Sequence, residues 1–372
     1  MAGLSLFAGD PIDRLLHKLG LASEGRLRFS RLAPLVVVLG WAVPLVLATL
    51  GGDLTNKYGR RGFASDFNLL IQTAVVIVLL YAQSYVDAHI RDAGCLFASS
   101  GIVDRAEYER GAAKTCRLRI AILPDVICGL VAIPLVYLWA AADLRKGIPS
   151  WQVHCLDGRG VPTIAQWWLV LIFGPLFEFL WLRWLWKISL WLWFLRRISR
   201  SKIRIAAGHP DRAGGLGFVG SVQASFGILI FAVGLLVLSD ALKQIFVERL
   251  LSGNLFLEIV AFSILGPVAF LLPLLMFTRH LYAAKRLATV RWSSRITRIL
   301  NATTHDRRST DDETRLSEAV KRYRSVTQMR VVPFDMVSLW HLLAAAATPM
   351  LPLIVRGLDM PSWFQELVKS AK

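Results

Sequence analysis

Residues 165–195 read AQWWLVLIFGPLFEFLWLRWLWKISLWLWFL. Glu178, Arg183 and Lys187 are the only charged residues in this apolar run of 31 residues. About 20 apolar residues suffice to cross a bilayer core of about 30 Å. At about 1.5 Å per residue this stretch is half as long again as a span needs. A helix that is apolar all round is buried or lies in lipid, and the length here selects lipid. Trp181, Trp184, Trp186, Trp191 and Trp193 crowd its second half, and tryptophan collects at the headgroup level. Arg183, Lys187, Arg197 and Arg204 fall within about a quarter of the helix circumference. The pattern predicts a span ending near Trp184 that continues, or bends, into a basic amphipathic helix at the cytoplasmic interface. One long tilted helix is the alternative.

Six further stretches have span length: 33–52, 68–86, 120–142, 216–240, 256–279 and 332–355. None alternates with period two, which argues against a β-barrel. The expected fold is therefore all-α, a polytopic membrane helix bundle of about seven transmembrane helices. Composition agrees. Of 372 residues, 55% are hydrophobic and 19% charged, with a mean hydropathy of +0.51. A soluble domain is about a quarter charged.

The net charge is +17. Placing segments 1–32, 86–119, 196–215 and 280–331 on one side collects 29 Lys and Arg, against 11 in 53–67, 143–164, 241–255 and 356–372. The positive-inside rule then predicts the N-terminus inside and the C-terminus outside. The charge is explained by topology and by attraction to anionic lipid headgroups, so no nucleic-acid partner is needed. The expected organisation is an N-terminal cytoplasmic or interfacial segment (1–32), a membrane domain of spans 1–6 (33–279), a cytoplasmic helical hairpin (280–331), span 7 (332–355) and an outer tail (356–372).

Met1 to Gly9 lacks the basic region and long apolar core of a cleavable signal. An interfacial helix is expected instead, capped by Asp10 with Pro11 at its first position. Ile12, Leu15, Leu16 and Leu19 share one face of it and Arg14 and Lys18 another, as suits a helix lying on a bilayer. Thr310 and Glu313 form a capping-box pattern for the second arm of the hairpin. Cys95, Cys116, Cys128 and Cys155 share no metal or redox spacing. His154-Cys155 with Asp157 offers too few ligands for a metal site, and no cofactor is expected.

Three features could carry chemistry. The first is His209-Pro-Asp-Arg-Ala-Gly-Gly-Leu-Gly-Phe218. A Pro and three glycines permit a tight turn whose N–H groups can form an anion nest, and a helix N-terminus follows. Arg204, His209, Asp211, Arg212, Gly214, Gly215 and Gly217 are the candidate ligand-binding residues, for an anionic headgroup, a phosphate or a nucleotide. His209 and Asp211 could alternatively form a pH-sensitive pair, and a structured turn closed by Asp211 is the plain reading. Residues 215–220 also spell G-x-G-x-x-G, without the preceding strand that a dinucleotide site requires. The second is the set of ionisable residues within spans: Asp125, Glu178, Glu258, Asp335 and His341. Such residues usually face a bundle interior or a water path. Asp125, Glu178 and His341 are the candidates to line a permeation path. Arg183 lies about 140° from Glu178 around an ideal helix, so a partner for Glu178 is expected from another helix. The third is a set of prolines inside spans, including Pro44 and Pro175, whose broken helices can line a cavity.

The loop 209–218, the later Met329-Arg-Val-Val-Pro-Phe334 and Thr348-Pro-Met-Leu-Pro-Leu353 resemble a family of uncharacterised bacterial multi-pass membrane proteins of similar length. The resemblance implies a bacterial cytoplasmic membrane and transfers no mechanism. No enzyme signature is present. The expectation is a channel or transporter type of integral membrane protein, assembled as a homo-oligomer, with the Gly-rich loop as gate or ligand site. The alternatives are a membrane-embedded binding or signalling module, or a lipid-modifying enzyme with His209 and Asp211 as acid and base.

Overall fold

The computed structural model describes residues 4–23, 26–56, 61–146, 150–156, 159–244, 253–303, 310–334 and 336–350. Asp157, Asp335 and the tail 356–372 lie outside the described residues, as does the side chain of Glu258. The chain is an all-α, multi-pass membrane helix bundle with small β-hairpins added. Five of the described helices are long and apolar enough to cross a membrane: α2 (Phe29–Leu50), α3 (Phe67–Ser99), α5 (Leu123–Arg145), α6 (Ile164–Ser199) and α7 (Gly217–Lys243). Shorter helices are α1 (Pro11–Lys18) and α4 (Arg105–Ile120). Residues of the predicted sixth span belong to α8 (Gly253–Thr303), which runs without a break for 51 residues into the first arm of the hairpin. The second arm is α9 (Thr310–Thr327), and Arg322 on it lies over the Trp292 ring of α8 at 5.5 Å. The predicted seventh span contributes α10 (Met336–Ala347), and the description ends at Met350.

Helix α3 is the central mast. Val75, Val76, Ala82, Val86, Ile90 and Phe97 on it are fully buried. Helix α5 is peripheral. Leu130, Ile133, Tyr137, Leu138 and Trp139 all point outward. So large an apolar strip is a liability in water and an ordinary lipid-facing surface in a membrane.

The loops sort into two ends. At one end Arg61 bridges to Ser150, the hairpin β1–β2 (Val153–Leu156, Arg159–Pro162) follows, and the Trp151 indole donates to Asp66 at 2.8 Å. Phe63 meets Trp151 edge-on at 4.9 Å. At the other end Val103 pairs with Ile203, Arg119 donates to the Ser5 carbonyl at 2.8 Å, and His280 Nε2 lies 2.7 Å from the Ser199 carbonyl. The segments rich in Lys and Arg thus gather at one end of the bundle.

Two spans carry the same local irregularity. Val38–Ala42 in α2 and Leu169–Phe173 in α6 are π-helical turns, closed by Val43 N–H to Val38 O and Gly174 N–H to Leu169 O. In each case the next residue is proline, Pro44 or Pro175. Proline supplies no N–H to the preceding turn, and a widened turn relieves the clash. The two turns pack on each other. The Trp168 indole donates to Leu39 O at 2.9 Å, and a Cβ on Gly40 would sit 2.5 Å from the Phe173 ring. Only glycine permits that approach.

Helix α6 is one continuous element from Ile164 to Ser199, so the bend near Trp184 is absent. The basic stripe is also corrected. Arg183 and Lys187 are 3% and 1% exposed and face the bundle interior rather than the headgroups, because counter-charges wait for them there. Arg204 lies beyond the end of α6 and is exposed.

Candidate functional site

The counter-charges come from the segment preceding α1. Leu4, Leu6, Phe7 and Asp10 are at most 2% exposed. Asp10 caps α1, as its position before Pro11 predicts: Asp13 N–H donates to its Oδ1 at 2.8 Å. Its Oδ2 accepts from Arg183 Nη2 at 2.5 Å and from Lys187 Nζ at 2.8 Å. The two cations are four residues apart, one turn of α6, and so project to one side. Arg183 Nη1 also donates to Gln83 Oε1 at 3.0 Å, and its Nε is 3.7 Å from Asp125 Oδ1. The Phe7 ring lies 5.5 Å from the Arg183 guanidinium and 5.4 Å from Lys187 Nζ. Asp87 accepts from Ser5 Oγ and Leu6 N–H and pairs with Arg91 at 3.4 Å. Two carboxylates, Asp10 and Asp125, therefore meet two cations, Arg183 and Lys187, inside the bundle, while Asp87 holds Ser5 and Leu6 of the same segment. Burial favours a neutral Asp10, but Arg183 and Lys187 outweigh it and hold the carboxyl below its usual range. Desolvation makes an unpaired charge here costly, so the cluster clamps the segment Leu4–Asp10 between α3 and α6.

Toward the opposite end lies a cavity of about 480 Å³. It is lined by the first turns of α3 (Asp66, Asn68, Gln72), the end of α5 (Trp139, Asp143), Trp151, the first half of α6 (Gln166, Phe173, Phe177, Glu178) and the end of α7 (Asp240, Lys243). The π turn of α6 forms part of its wall. Glu178 sits on this wall about 20 Å along α6 from its start and has no hydrogen bond or ion pair to any described residue. Five residues, about 7.5 Å of helix, separate it from Arg183. That level is closed by Leu180 and Trp184, whose indole donates to Leu79 O at 3.2 Å, with Phe7 edge-on to it at 5.1 Å.

The sequence candidates are distributed as follows. Asp125 joins the ion cluster and Glu178 the cavity. His341 is exposed on α10 beside the exposed Trp340, while its neighbour Leu342 is the buried one, so His341 does not join the other two. His154 pairs with Asp53 at 2.8 Å. In the 209–218 loop, Asp211 is the acceptor for the surrounding N–H groups: Ala213 and Gly215 donate to Oδ1 at 2.9 and 3.1 Å, and Gly217 to Oδ2 at 2.9 Å. The anion held by this nest is thus the protein's own carboxylate, which also caps α7. Burial opposes its ionisation, yet these donors and the His209 ring at 2.8 Å keep its pKa low. Arg212 takes the left-handed region at φ 54°, and Gly214 and Gly215 follow at 66° and 92°, conformations that glycine adopts freely. The Arg212 carbonyl accepts from Arg330 N–H at 2.6 Å, and a Cβ on Gly214 would press on Ile205 and Met329. The loop is therefore knitted to the 329–334 segment. Arg204 N–H donates to Ile102 O at 2.7 Å.

Sequence reasoning missed Asp10 as an ionic partner. The available signal was two cations one turn apart in a span, which demand carboxylates from elsewhere.

A stretch of 157 residues, 40% of the chain, is 27% identical to adhesion G protein-coupled receptor B2 of Homo sapiens and 26% identical to the same receptor of Mus musculus. The match covers 9% of those receptors, so the chain spans under a tenth of the relatives it matches. Both are mammalian, and the bacterial location that the resemblance implies receives no support from them. No protein-family model matches the chain, and no solved structure does.

Proposed function

We propose that this multi-pass membrane protein is of the channel or transporter type, and that a small polar solute enters it through the cavity ending on Glu178. The observation that carries this reading is the axial arrangement along α6. A polar cavity opens at one end, a carboxylate without a partner among the described residues lies at its floor, and an apolar septum and a salt-bridged segment close the other end. Ionisable side chains at membrane depth mark solute or ion paths by default. With the basic end in the cytoplasm, as the partition of Lys and Arg implies, the cavity faces outward. Leu4–Asp10 is then the cytoplasmic closure. Opening it requires release of Asp10 from Arg183 and Lys187.

Flux into proteoliposomes tests this. The parent protein is expected to move a solute from a panel of inorganic cations, organic cations, amino acids and sugars, and Glu178→Gln to reduce that flux at least tenfold with the assembly intact. A folded parent that moves none of the panel, or a Glu178→Gln protein with parental flux, overturns the reading.

A further inference from the structure

The lining of the cavity specifies more than a polar solute. Among the described residues it holds four carboxylates, from Asp66, Asp143, Glu178 and Asp240, against two cations, Arg61 and Lys243. Asp66 is satisfied by neutral donors, the Trp151 indole and the Asn68 N–H, and Asp240 accepts from Gln244 at 3.1 Å. Their negative charge is therefore held in place without being neutralised by those donors. Glu178 is the carboxylate for which no described residue supplies a partner. A second polar group is also unspent. Gln166 is 6% exposed, it lines the cavity, and its Oε1 accepts no hydrogen bond from any described residue. A buried acceptor left open costs about 1–3 kcal/mol, so an occupant carrying a donor is favoured. The same lining carries aromatic residues, Trp151, Phe173 and Phe177. Acceptors and carboxylates combined with ring faces recognise one ligand class, an organic ammonium ion. An inorganic cation would want a cage of oxygens instead, and an anion would meet repulsion. The volume of about 480 Å³ falls in the range of about 300–1,000 Å³ typical of small-molecule sites.

From these features we infer that the cavity is a binding site for a small organic ammonium cation, with Glu178 as its counter-ion and the aromatic wall as its cradle. The inference rests on the transporter-type reading of the same cavity and narrows its solute. Closure by the septum explains why such a cation would stop at Glu178.

The test is binding to the full-length protein in lipid nanodiscs, read by calorimetry at constant ionic strength. The probes are choline, its uncharged isostere 3,3-dimethylbutan-1-ol, sodium and acetate. Choline is expected to bind at least tenfold more tightly than the isostere, and neither sodium nor acetate to compete. Glu178→Gln should weaken choline at least tenfold, and Glu178→Asp should restore most of the affinity. Equal binding of choline and isostere, undiminished binding by Glu178→Gln, or no choline binding to the folded parent overturns the inference. If Glu178→Gln does not fold, the comparison of choline with its isostere on the parent decides. Choline flux in proteoliposomes separates the two readings. Tight binding without flux sustains the site and removes the transporter reading. Flux of a neutral or anionic solute without choline binding sustains transport and removes the site.

Discussion

Two oxygens of one side chain do most of the joining at the basic end. Asp10 Oδ1 ends a helix and Oδ2 binds two cations from a helix more than 170 residues away. Removing one partner of a buried pair leaves the other charge stranded, at about 3–5 kcal/mol. Asp10→Asn should therefore lower stability by roughly that amount, measured by denaturant unfolding in detergent. A loss under about 1 kcal/mol would show that Asp125 and Gln83 already satisfy Arg183. Because the groups touch, Asp10→Asn combined with Lys187→Met should cost less than the two changes summed. Asp211 provides a second test, this one against pH. Its folded pKa is depressed by Gly217, Ala213 and Gly215 N–H groups and by His209, against burial. The stability it contributes is then present above the unfolded carboxylate value, about 3.9, and is lost as pH falls through the lower folded value. Asp211→Ala should flatten the acid limb of the stability profile below about pH 4. It should also detach the 209–218 loop from Met329–Phe334, seen as faster amide exchange at Ala213, Gly215 and Gly217.

At the scale of elements, the paired π turns decide how α2 meets α6. The widened turn leaves Leu39 O available to the Trp168 indole, and Gly40 lets Phe173 approach. Gly40→Ala introduces a Cβ 2.5 Å from the Phe173 ring and 2.6 Å from Thr73 Oγ1. Neither neighbour is a flexible chain end, so the helices must part. Overpacking of this kind costs about 1–3 kcal/mol, and because Phe173 lines the cavity, ligand affinity should fall together with the melting temperature. An unchanged melting temperature would mean that the two spans already slide freely. Pro44 and Pro175 were visible in the sequence as helix breakers, and the spans around them were legible from apolar length alone. What they do to the backbone was not legible. A proline can kink, bulge or merely end a turn, and the outcome here depends on a facing glycine and a facing indole from a different span.

For the whole molecule, the native cysteines report sidedness. Cys155 is exposed at the cavity end and Cys95 is exposed near the basic end of α3. With the basic end inside, a membrane-impermeant maleimide applied to intact cells should label Cys155 and spare Cys95 until the membrane is opened. The reverse pattern would invert the topology and place the cavity inside. The membrane class, the length of the spans and the segregation of basic loops could all be read from sequence, because lipid imposes local rules of length and charge. The site could not. Glu178 stood out as a carboxylate in a span, but Asp66, Trp151 and Asp240, which line the cavity with it, come from separate elements. Arg183 and Lys187 were read as headgroup contacts, because nothing near them in the chain is acidic on their face. The 209–218 loop was legible as a turn closed by Asp211, and that reading explains its glycines without an external ligand.

The clasp made by Asp10 has a consequence for how the protein is made. Its partner Arg183 is synthesised 173 residues later. At about 5–20 residues per second the delay is about 9–35 s. Throughout that interval Leu4, Leu6 and Phe7 have no groove to enter, since α6 forms one wall of it. An early-made segment must then wait, and dock only after the fourth of the described spans has been made. Leu4–Asp10 therefore docks long after it is made.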